Sequence, residues 1–202
     1  MRSTKRLSLL CMFCCAVGLA LWQPPLRAHG QEGIYTGRTI TGTAYAFSGR
    51  FAGHSAPFTL IINRYTAPAE VQQLNSALQS GGQDELLRVV SGMDAGRIRI
   101  GSGVGVPANV IIATPQGNGE TKLTVIYQRN IQFSELRYGT RSADYKFGYA
   151  ELYLDRRGQG QGMFIPAARV RLREGNTWEV EDFGTFPARL LGLQARGGRS
   201  VR

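Results

Sequence analysis

The sequence predicts an α+β fold, mainly an antiparallel β barrel or sandwich of about seven to nine strands with a two-helix insertion after the second strand. Three observations lead to this prediction. Segments with a period of two occupy both ends of the chain, the period becomes helical over residues 67–91, and short glycine-containing turns separate the later segments. Several strands are apolar on both sides and need enclosure on both faces, which favours a barrel over a sandwich.

The first two predicted strands are residues 35–47 and 58–65. The first alternates threonine and aromatic residues with small or aliphatic residues, which is the period of a strand. The second is apolar on both sides at Leu60, Ile61 and Ile62, so we expect both of its faces to be covered.

Residues 67–91 are predicted to form two short helices. Thr66 can cap the first helix, and Pro68 suits its first turn because the missing N–H has no intrahelical partner there. The pair Gly81-Gly82 is expected to end that helix, and a second helix follows. Because helices of this length are not stable alone, we expect both to lie against the sheet.

From residue 97 onward the pattern predicts strands joined by turns. The first of these strands are residues 97–100, 108–113 and 121–128, with an irregular strand at 131–138. The last four form an antiparallel meander and are residues 145–155, 160–173, 177–183 and 188–193. Alternate arginines of the strand 160–173 are expected to pair with Glu179, Glu181 or Asp182 of the next strand.

The N-terminal residues 1–30 are predicted to be an export signal. A basic start is followed by an apolar run, residues 7–22, that is shorter than the roughly 20 apolar residues needed to span a bilayer. Cleavage is expected after Gly30, with a cut after Ala28 as the alternative, which places the protein in the periplasm or outside the cell. The other interpretation of this segment is a retained membrane anchor. The mature chain is then one β-rich domain, residues 31–195, with the helical insertion at 67–91 and a flexible basic tail at 196–202. No later segment is apolar enough to span a membrane.

Cysteine usage excludes several kinds of site. All three cysteines, Cys11, Cys14 and Cys15, lie in the predicted signal. A cleaved chain therefore has no disulfide, no thiol catalysis and no cysteine-bound metal.

The charge of the chain is concentrated at its ends. The formal net charge of +10 falls to +6 without the four basic residues of the predicted signal, and to +3 without the three arginines of the tail. Nucleic-acid binding needs a clustered basic footprint, so a nearly neutral body predicts no nucleic-acid partner.

The richest candidate surface is the strand 145–155. Tyr149, Glu151 and Tyr153 project from the same side of this strand because successive side chains alternate. Two interpretations are open. The tyrosine side is either ordinary core beneath the helices, or a small-molecule cavity in which Glu151 is the polar group. In the second case, desolvation is expected to raise the pKa of Glu151.

The predicted function is an exported, non-enzymatic β-domain that binds an apolar or amphipathic small molecule, lipid-like in character, or an envelope protein. We expect no cofactor and no metal, since the acids lack metal-ligand spacing. The alternative is a hydrolase or similar enzyme that uses Glu135, Glu151 and Asp182, with or without His54. No ordered Ser/His/Asp cluster supports this alternative, so no catalytic residue is assigned.

Three stretches of the chain carry a family resemblance. They are Tyr65-Thr-Ala-Pro-Ala-Glu through Gly81-Gly82, then Glu151-Leu-Tyr-Leu-Asp155-Arg-Arg-Gly-Gln-Gly, and Trp178-Glu-Val-Glu. Together they resemble an uncharacterised family of exported bacterial proteins. The resemblance implies export and supplies no catalytic residues. The general shape is also similar to lipocalin-type ligand-binding barrels, which is an analogy of fold alone.

Overall fold

The computed structural model describes residues 37–46, 52–130, 144–173, 177–182 and 188–197. Over these residues the chain forms ten strands and one helix. The helix is α1 (Pro68–Ser91). The strands are β1 (Arg38–Ala46), β2 (Ser55–Ile62), β3 (Gly96–Ile100), β4 (Val106–Ala108), β5 (Val110–Pro115), β6 (Thr121–Gln128), β7 (Phe147–Leu154), β8 (Gln159–Arg173), β9 (Thr177–Asp182) and β10 (Ala188–Arg196).

The strands form one antiparallel sheet that curls into a nearly closed barrel. Nine of them follow the order β4-β3-β2-β1-β10-β8-β7-β6-β5, and β9 pairs with the far end of β8. The two strands at the ends of this order, β4 and β5, are separated in the chain by Asn109 alone, which brings the ends of the sheet together. The predicted antiparallel barrel is therefore confirmed.

Polar groups bridge the place where the barrel closes. The backbone N–H of Thr66 donates to the carbonyl of Ile111 at 2.8 Å. The N–H of Ile111 in turn donates to the Thr66 hydroxyl at 3.0 Å. Asn109 donates to the carbonyl of Met93 at 2.8 Å and accepts from the N–H of Gln128 at 2.9 Å. These side chains satisfy backbone groups that a continuous ladder would otherwise pair.

The two-helix insertion is wrong, because the described residues contain a single helix at this position. Gly82 adopts φ 61° and ψ −141° inside α1, so the glycine pair interrupts the helical backbone without ending the element. Only glycine adopts a positive φ readily, which explains the change of direction there. Ala67 is the N-cap residue, and Glu70 accepts its N–H at 2.7 Å. Thr66, expected to be the cap, is buried with its hydroxyl bound to Ile111.

Two apolar cores lie on opposite sides of the sheet. The inner core fills the barrel and includes Ile40, Phe58, Leu60, Ile98, Ile111, Leu123, Tyr127, Leu152, Phe164 and Leu190. The outer core lies between α1 and the outside of β5 to β9, and includes Leu74, Leu86, Val90, Val110, Ile126, Phe147, Tyr149, Ile165 and Val170. Helix α1 therefore covers the outer face of one half of the barrel.

Several sequence expectations meet the structure in detail. The predicted strand 108–113 is two strands, β4 and β5, because Asn109 interrupts it. The pairing of arginines with β9 is confirmed by the 2.5 Å ion pair between Arg171 and Glu181. The predicted irregular strand 131–138, which contains Glu135, lies outside the described residues.

Candidate functional site

The interior of the barrel is filled by side chains. Leu60, Leu123 and Leu152 project into it, and each has no exposed surface. Larger barrels hold a ligand inside, whereas small barrels fill their interior with side chains. A small molecule would therefore bind to the outer surface.

The three predicted site residues lie together on the outer face of β7. The Tyr149 hydroxyl donates to Glu151 Oε1, and the Tyr153 hydroxyl donates to Glu151 Oε2 at 3.0 Å. Lys122 of β6 completes the arrangement, with its Nζ 2.5 Å from Glu151 Oε1. We call these four residues the Glu151 network. Its members meet because β6 and β7 pair in a register that places Lys122 opposite Tyr153 and Thr124 opposite Glu151.

The electrostatics of Glu151 differ from the expectation. Burial alone raises the pKa of this carboxyl, but the hydrogen bonds from Lys122 and Tyr149 outweigh burial and hold the pKa below its ordinary value. The predicted rise in pKa is therefore wrong. A carboxylate that two tyrosines and a lysine stabilise is charged at neutral pH, and it orients the groups around it.

The two tyrosines of this strand have different environments. Tyr149 is buried in the outer core next to α1. Its burial and, to a smaller extent, its hydrogen bond to Glu151 raise the pKa of its hydroxyl. Tyr153 lies beyond the helix and is 36% exposed. The Lys122 ammonium lies 5.9 Å from the centre of its ring, within the range of a cation–π contact.

Tyr153 borders an open depression of about 560 Å³ on the outside of the barrel, which we call the Tyr153 depression. Its lining consists of Glu120, Tyr153, Asp155, Gln159, Gly160, Gln161, Leu191 and Gly192. The exposed apolar wall opposite Tyr153 is Leu191, which is 42% exposed. The depression therefore combines an aromatic ring, an aliphatic side chain and two carboxylates.

The strand β10 has a bulge next to this aliphatic wall. The pairing of β10 with both neighbours shifts register around Leu191 and Gly192. The shift allows Leu190 and Leu193 both to face the inner core, so that the two residues between them face outward. Gly192 has a φ of 59°, a conformation that favours glycine. Leu191 faces outward in regular alternation with the inward Leu190, and the bulge at Gly192 then returns Leu193 to the inner core.

The two acidic groups of the depression are held by local turns. Asp155 Oδ1 accepts the backbone N–H groups of Arg157 and Gln159, each at 2.8 Å. Glu120 accepts from the side-chain amide of Asn118 at 2.7 Å. The charged residues of the lining are these two carboxylates.

The residues of the hydrolase alternative do not converge in the described part of the chain. Glu151 pairs with Met163 of β8, whereas Asp182 pairs with Ala168 of the same strand. Five residues along a strand correspond to about 16 Å, which exceeds the separation of carboxylates that act together. His54 lies before β2 in the turn after β1. Among the described residues, no three His, Cys, Asp or Glu side chains form a group that could hold a metal ion.

Sequence reasoning did not single out Lys122, Glu120, Asp155 or Leu191 as site residues. The period of two places Lys122 and Thr124 on one side of β6, but only the observed register aligns them with Glu151. The outward position of Leu191 follows from its alternation with Leu190, but its place near Tyr153 depends on the pairing of β10 with β8 and of β8 with β7.

Searches of protein-family models, curated proteins and solved structures found no match to this chain. The resemblance to exported bacterial proteins therefore stays a prediction. Within the described ranges, no helix combines the length and the apolarity that crossing a bilayer requires.

Proposed function

We propose that the protein is an exported, non-enzymatic binding domain that holds an amphipathic small molecule in the Tyr153 depression. The observation that carries the proposal is the anchoring of an exposed aromatic ring. The Tyr153 hydroxyl is bound to Glu151, which Tyr149 and Lys122 also hold. A ring held in one orientation loses little conformational entropy when a ligand packs on it.

The lining of the depression determines which amphipathic molecules fit. Tyr153 and Leu191 offer exposed apolar surface to a hydrocarbon portion. Glu120 and Asp155 favour a positively charged or hydrogen-bond-donating head group, because their carboxylates accept hydrogen bonds and attract cations. The proposed ligand class is therefore a cationic or donor-bearing amphiphile. An anionic amphiphile of the same length should bind more weakly.

Titration calorimetry with two short amphiphiles tests this proposal. An alkylammonium and an alkyl sulfate of equal chain length are compared below their micelle concentrations. We expect the alkylammonium to bind at least ten times more tightly, a difference of about 1.4 kcal/mol. Tyr153→Ala should abolish most of this affinity. The matched control is Tyr45→Ala, which removes another exposed tyrosine, 39% exposed, from β1.

The outcomes separate the alternatives. Equal affinity for the two amphiphiles would contradict the role of the carboxylates. An equal loss in the Tyr153 and Tyr45 variants would remove the Tyr153 depression as the site. Failure of both amphiphiles to bind would overturn the proposed small-molecule class.

Export is tested separately by N-terminal sequencing of the protein recovered from its own cells. We expect a new N-terminus near Gln31, because small residues flank the predicted cleavage point. A product that retains residues 1–27 and requires detergent would contradict this prediction.

A further inference from the structure

The barrel has one half that carries arginines and no acidic residue. The strands β4, β3, β2, β1 and β10 are consecutive in the sheet and contain neither aspartate nor glutamate. They contain five arginines, which are Arg38, Arg97, Arg99, Arg189 and Arg196. We call the outward side chains of these five strands the basic wall. The acidic residues of the described strands lie in β7 and β9, on the other half.

The register of the sheet places the outward side chains of the basic wall in rows. One row crosses four strands from Arg97 through Ile61 and Thr39 to Arg196. The next row begins at Arg99, which lies opposite Thr59. With neighbouring strands about 4.8 Å apart, the first row spans roughly 14 Å. Residues distant in the chain thus form one continuous surface.

Three arginines of the basic wall, Arg97, Arg99 and Arg196, are exposed and weakly bonded. Arg97 and Arg99 are exposed, and their hydrogen bonds are long ones, to the Gly105 carbonyl at 3.4 Å and to the Thr59 hydroxyl at 3.3 Å. Arg196 is also exposed and bonds only to Gln194 at 3.3 Å. Within the described residues, none of these three arginines forms an ion pair. Among the described elements, helix α1 packs on the other half of the barrel, outside β5 to β9.

Exposed apolar side chains stand beside these arginines. Ile61 lies directly opposite Arg97 and is 40% exposed. Val104, in the glycine-rich loop after β3, is 83% exposed. Exposed apolar groups next to basic groups suit the boundary between lipid head groups and acyl chains, where the apolar groups insert and the basic groups meet phosphates.

We propose that the basic wall docks on the surface of a bilayer that contains anionic phospholipid, with Arg97 and Arg99 on the phosphates and Val104 and Ile61 at the acyl boundary. The inference does not depend on the Tyr153 depression, since Arg97, Arg99, Ile61 and Val104 are not part of its lining. A nucleic acid is the less suitable partner. The outer face of a barrel is convex, and among the described residues of the basic wall Tyr45 is the one exposed aromatic side chain on which a base could stack.

Vesicle sedimentation of the full chain tests the proposal. Vesicles of phosphatidylcholine alone are compared with vesicles that contain roughly 30% phosphatidylglycerol, which gives them an anionic surface. We expect binding to the anionic vesicles that 0.5 M NaCl, a concentration where the screening length is only about 4 Å, largely removes. The double variant Arg97→Gln, Arg99→Gln should bind about 30-fold more weakly.

The matched control is the double variant Arg156→Gln, Arg157→Gln. These two arginines are exposed in the turn between β7 and β8, outside the basic wall, and they form no ion pair within the described residues. Both double variants change the net charge by the same amount. Because Arg156 and Arg157 lie outside the basic wall, this variant should retain vesicle binding to within about twofold. Circular dichroism and thermal unfolding establish that both double variants remain folded.

A local readout separates docking by the wall from adhesion by the apolar N-terminal segment. In a Trp22→Phe background, which removes the tryptophan of that segment, Val104→Trp places a fluorophore at the loop tip, and vesicles with brominated acyl chains should quench its emission. The same background without Val104→Trp measures the contribution of Trp178, which donates to Asn75. Quenching should disappear when Arg97 and Arg99 are also replaced by glutamine.

Several results would overturn the inference. They are an equal loss of binding in the two double variants, salt-insensitive binding to both kinds of vesicle, and an unquenched tryptophan at position 104 on bound protein. Tight binding of a DNA oligonucleotide without vesicle binding would assign the basic wall to nucleic acid instead.

Discussion

Tyr127 and Gly148 lie directly opposite each other on β6 and β7, and the tyrosine ring occupies the space that a side chain at residue 148 would need. A β-carbon at residue 148 would lie 1.9 Å from Cζ of Tyr127. On the inner side the ring stacks with Phe164, with 6.3 Å between the ring centres. Burial raises the pKa of the Tyr127 hydroxyl. This aromatic contact of the inner core thus depends on a glycine.

We therefore expect Gly148→Ala to destabilise the fold by about 3 kcal/mol, because the ring must move out of a close-packed core. Urea unfolding measures the change. The control is Gly117→Ala in the turn between β5 and β6, where a new β-carbon meets no atom within 4 Å. The control should change stability by less than about 0.5 kcal/mol. Equal unfolding midpoints for the two variants would contradict the packing argument.

The barrel strands were predictable where local pattern alone determines them. The segment 121–128 alternates and is bounded by a glycine turn, and β6 has the same bounds. The apolar run 108–113 was predicted as one strand. Asn109 divides it through hydrogen bonds to Met93 and Gln128, and these bonds depend on tertiary structure that the local pattern does not show. The glycine pair predicted the end of a helix. The backbone is non-helical at Gly82, but the helical turns on both sides pack on the same outer core through Leu78 and Leu86, which gives one kinked helix.

The same distinction between local pattern and tertiary structure applies to the candidate surfaces. The shared side of Tyr149, Glu151 and Tyr153 follows from the period of a strand. Lys122 as the partner of Glu151 does not, because it depends on the register between β6 and β7. The basic wall was also invisible in the sequence, since its strands extend from Arg38 to Arg196 and become neighbours only when the barrel closes. The overall charge concealed a clustered footprint of arginines.

Thr66→Val tests the closure of the barrel. The hydroxyl of this buried residue accepts the N–H of Ile111, and valine would leave that N–H without its partner. An unsatisfied buried donor lowers the free energy of unfolding by about 2 kcal/mol. Hydrogen exchange at the Ile111 amide should accelerate together with the drop in stability.

The matched substitution for this closure test is Thr43→Val. Thr43 is exposed on the outer face of β1, so its replacement should be nearly neutral. If Thr66→Val is as stable as Thr43→Val, the hydrogen bond to Ile111 does not stabilise the closed barrel.

Gln83 attaches the C-terminal half of α1 to β8. Its amide donates to the carbonyl of Val170 and accepts the Val170 N–H at 3.2 Å. The side chain therefore pairs with the strand as a neighbouring backbone would. Gln83→Met keeps the length of the side chain and removes both bonds, so we expect a loss of about 1 to 2 kcal/mol and faster exchange of the Val170 amide.

Gln79→Met is the control for this substitution. Gln79 lies one turn earlier on the same helix. Gln79 and Gln83 both line a groove of about 540 Å³ between α1 and β8, but Gln79 is exposed. Its replacement should leave both stability and the exchange of Val170 unchanged. Parallel effects in the two variants would indicate a change in helix propensity rather than a bond to β8.

Glu151 should make the free energy of unfolding depend on pH in the acidic range. Because its pKa is lower in the folded state than its ordinary value, the unfolded chain binds the proton more tightly. The contribution of Glu151 is therefore complete above the ordinary glutamate pKa of about 4.3 and is lost as the pH falls through the lower, folded value. Glu151→Gln should be about 1 kcal/mol less stable than the natural chain at pH 7. The two proteins should converge near pH 2, a value that lies about two units below the ordinary pKa.

Thermal melts of both proteins from neutral pH to acid measure this convergence, and Glu85→Gln provides the control. Glu85 pairs only with Arg88 on the exposed side of α1, so its loss should alter the acid dependence very little.

In the presence of the alkylammonium ligand, Glu151→Gln should also show a smaller ligand-dependent rise in melting temperature, because the Glu151 network anchors Tyr153. A constant difference in stability at every pH would show that the charge of Glu151 is not what holds the network. An identical ligand-dependent rise in the natural chain and Glu151→Gln would remove Glu151 from the site.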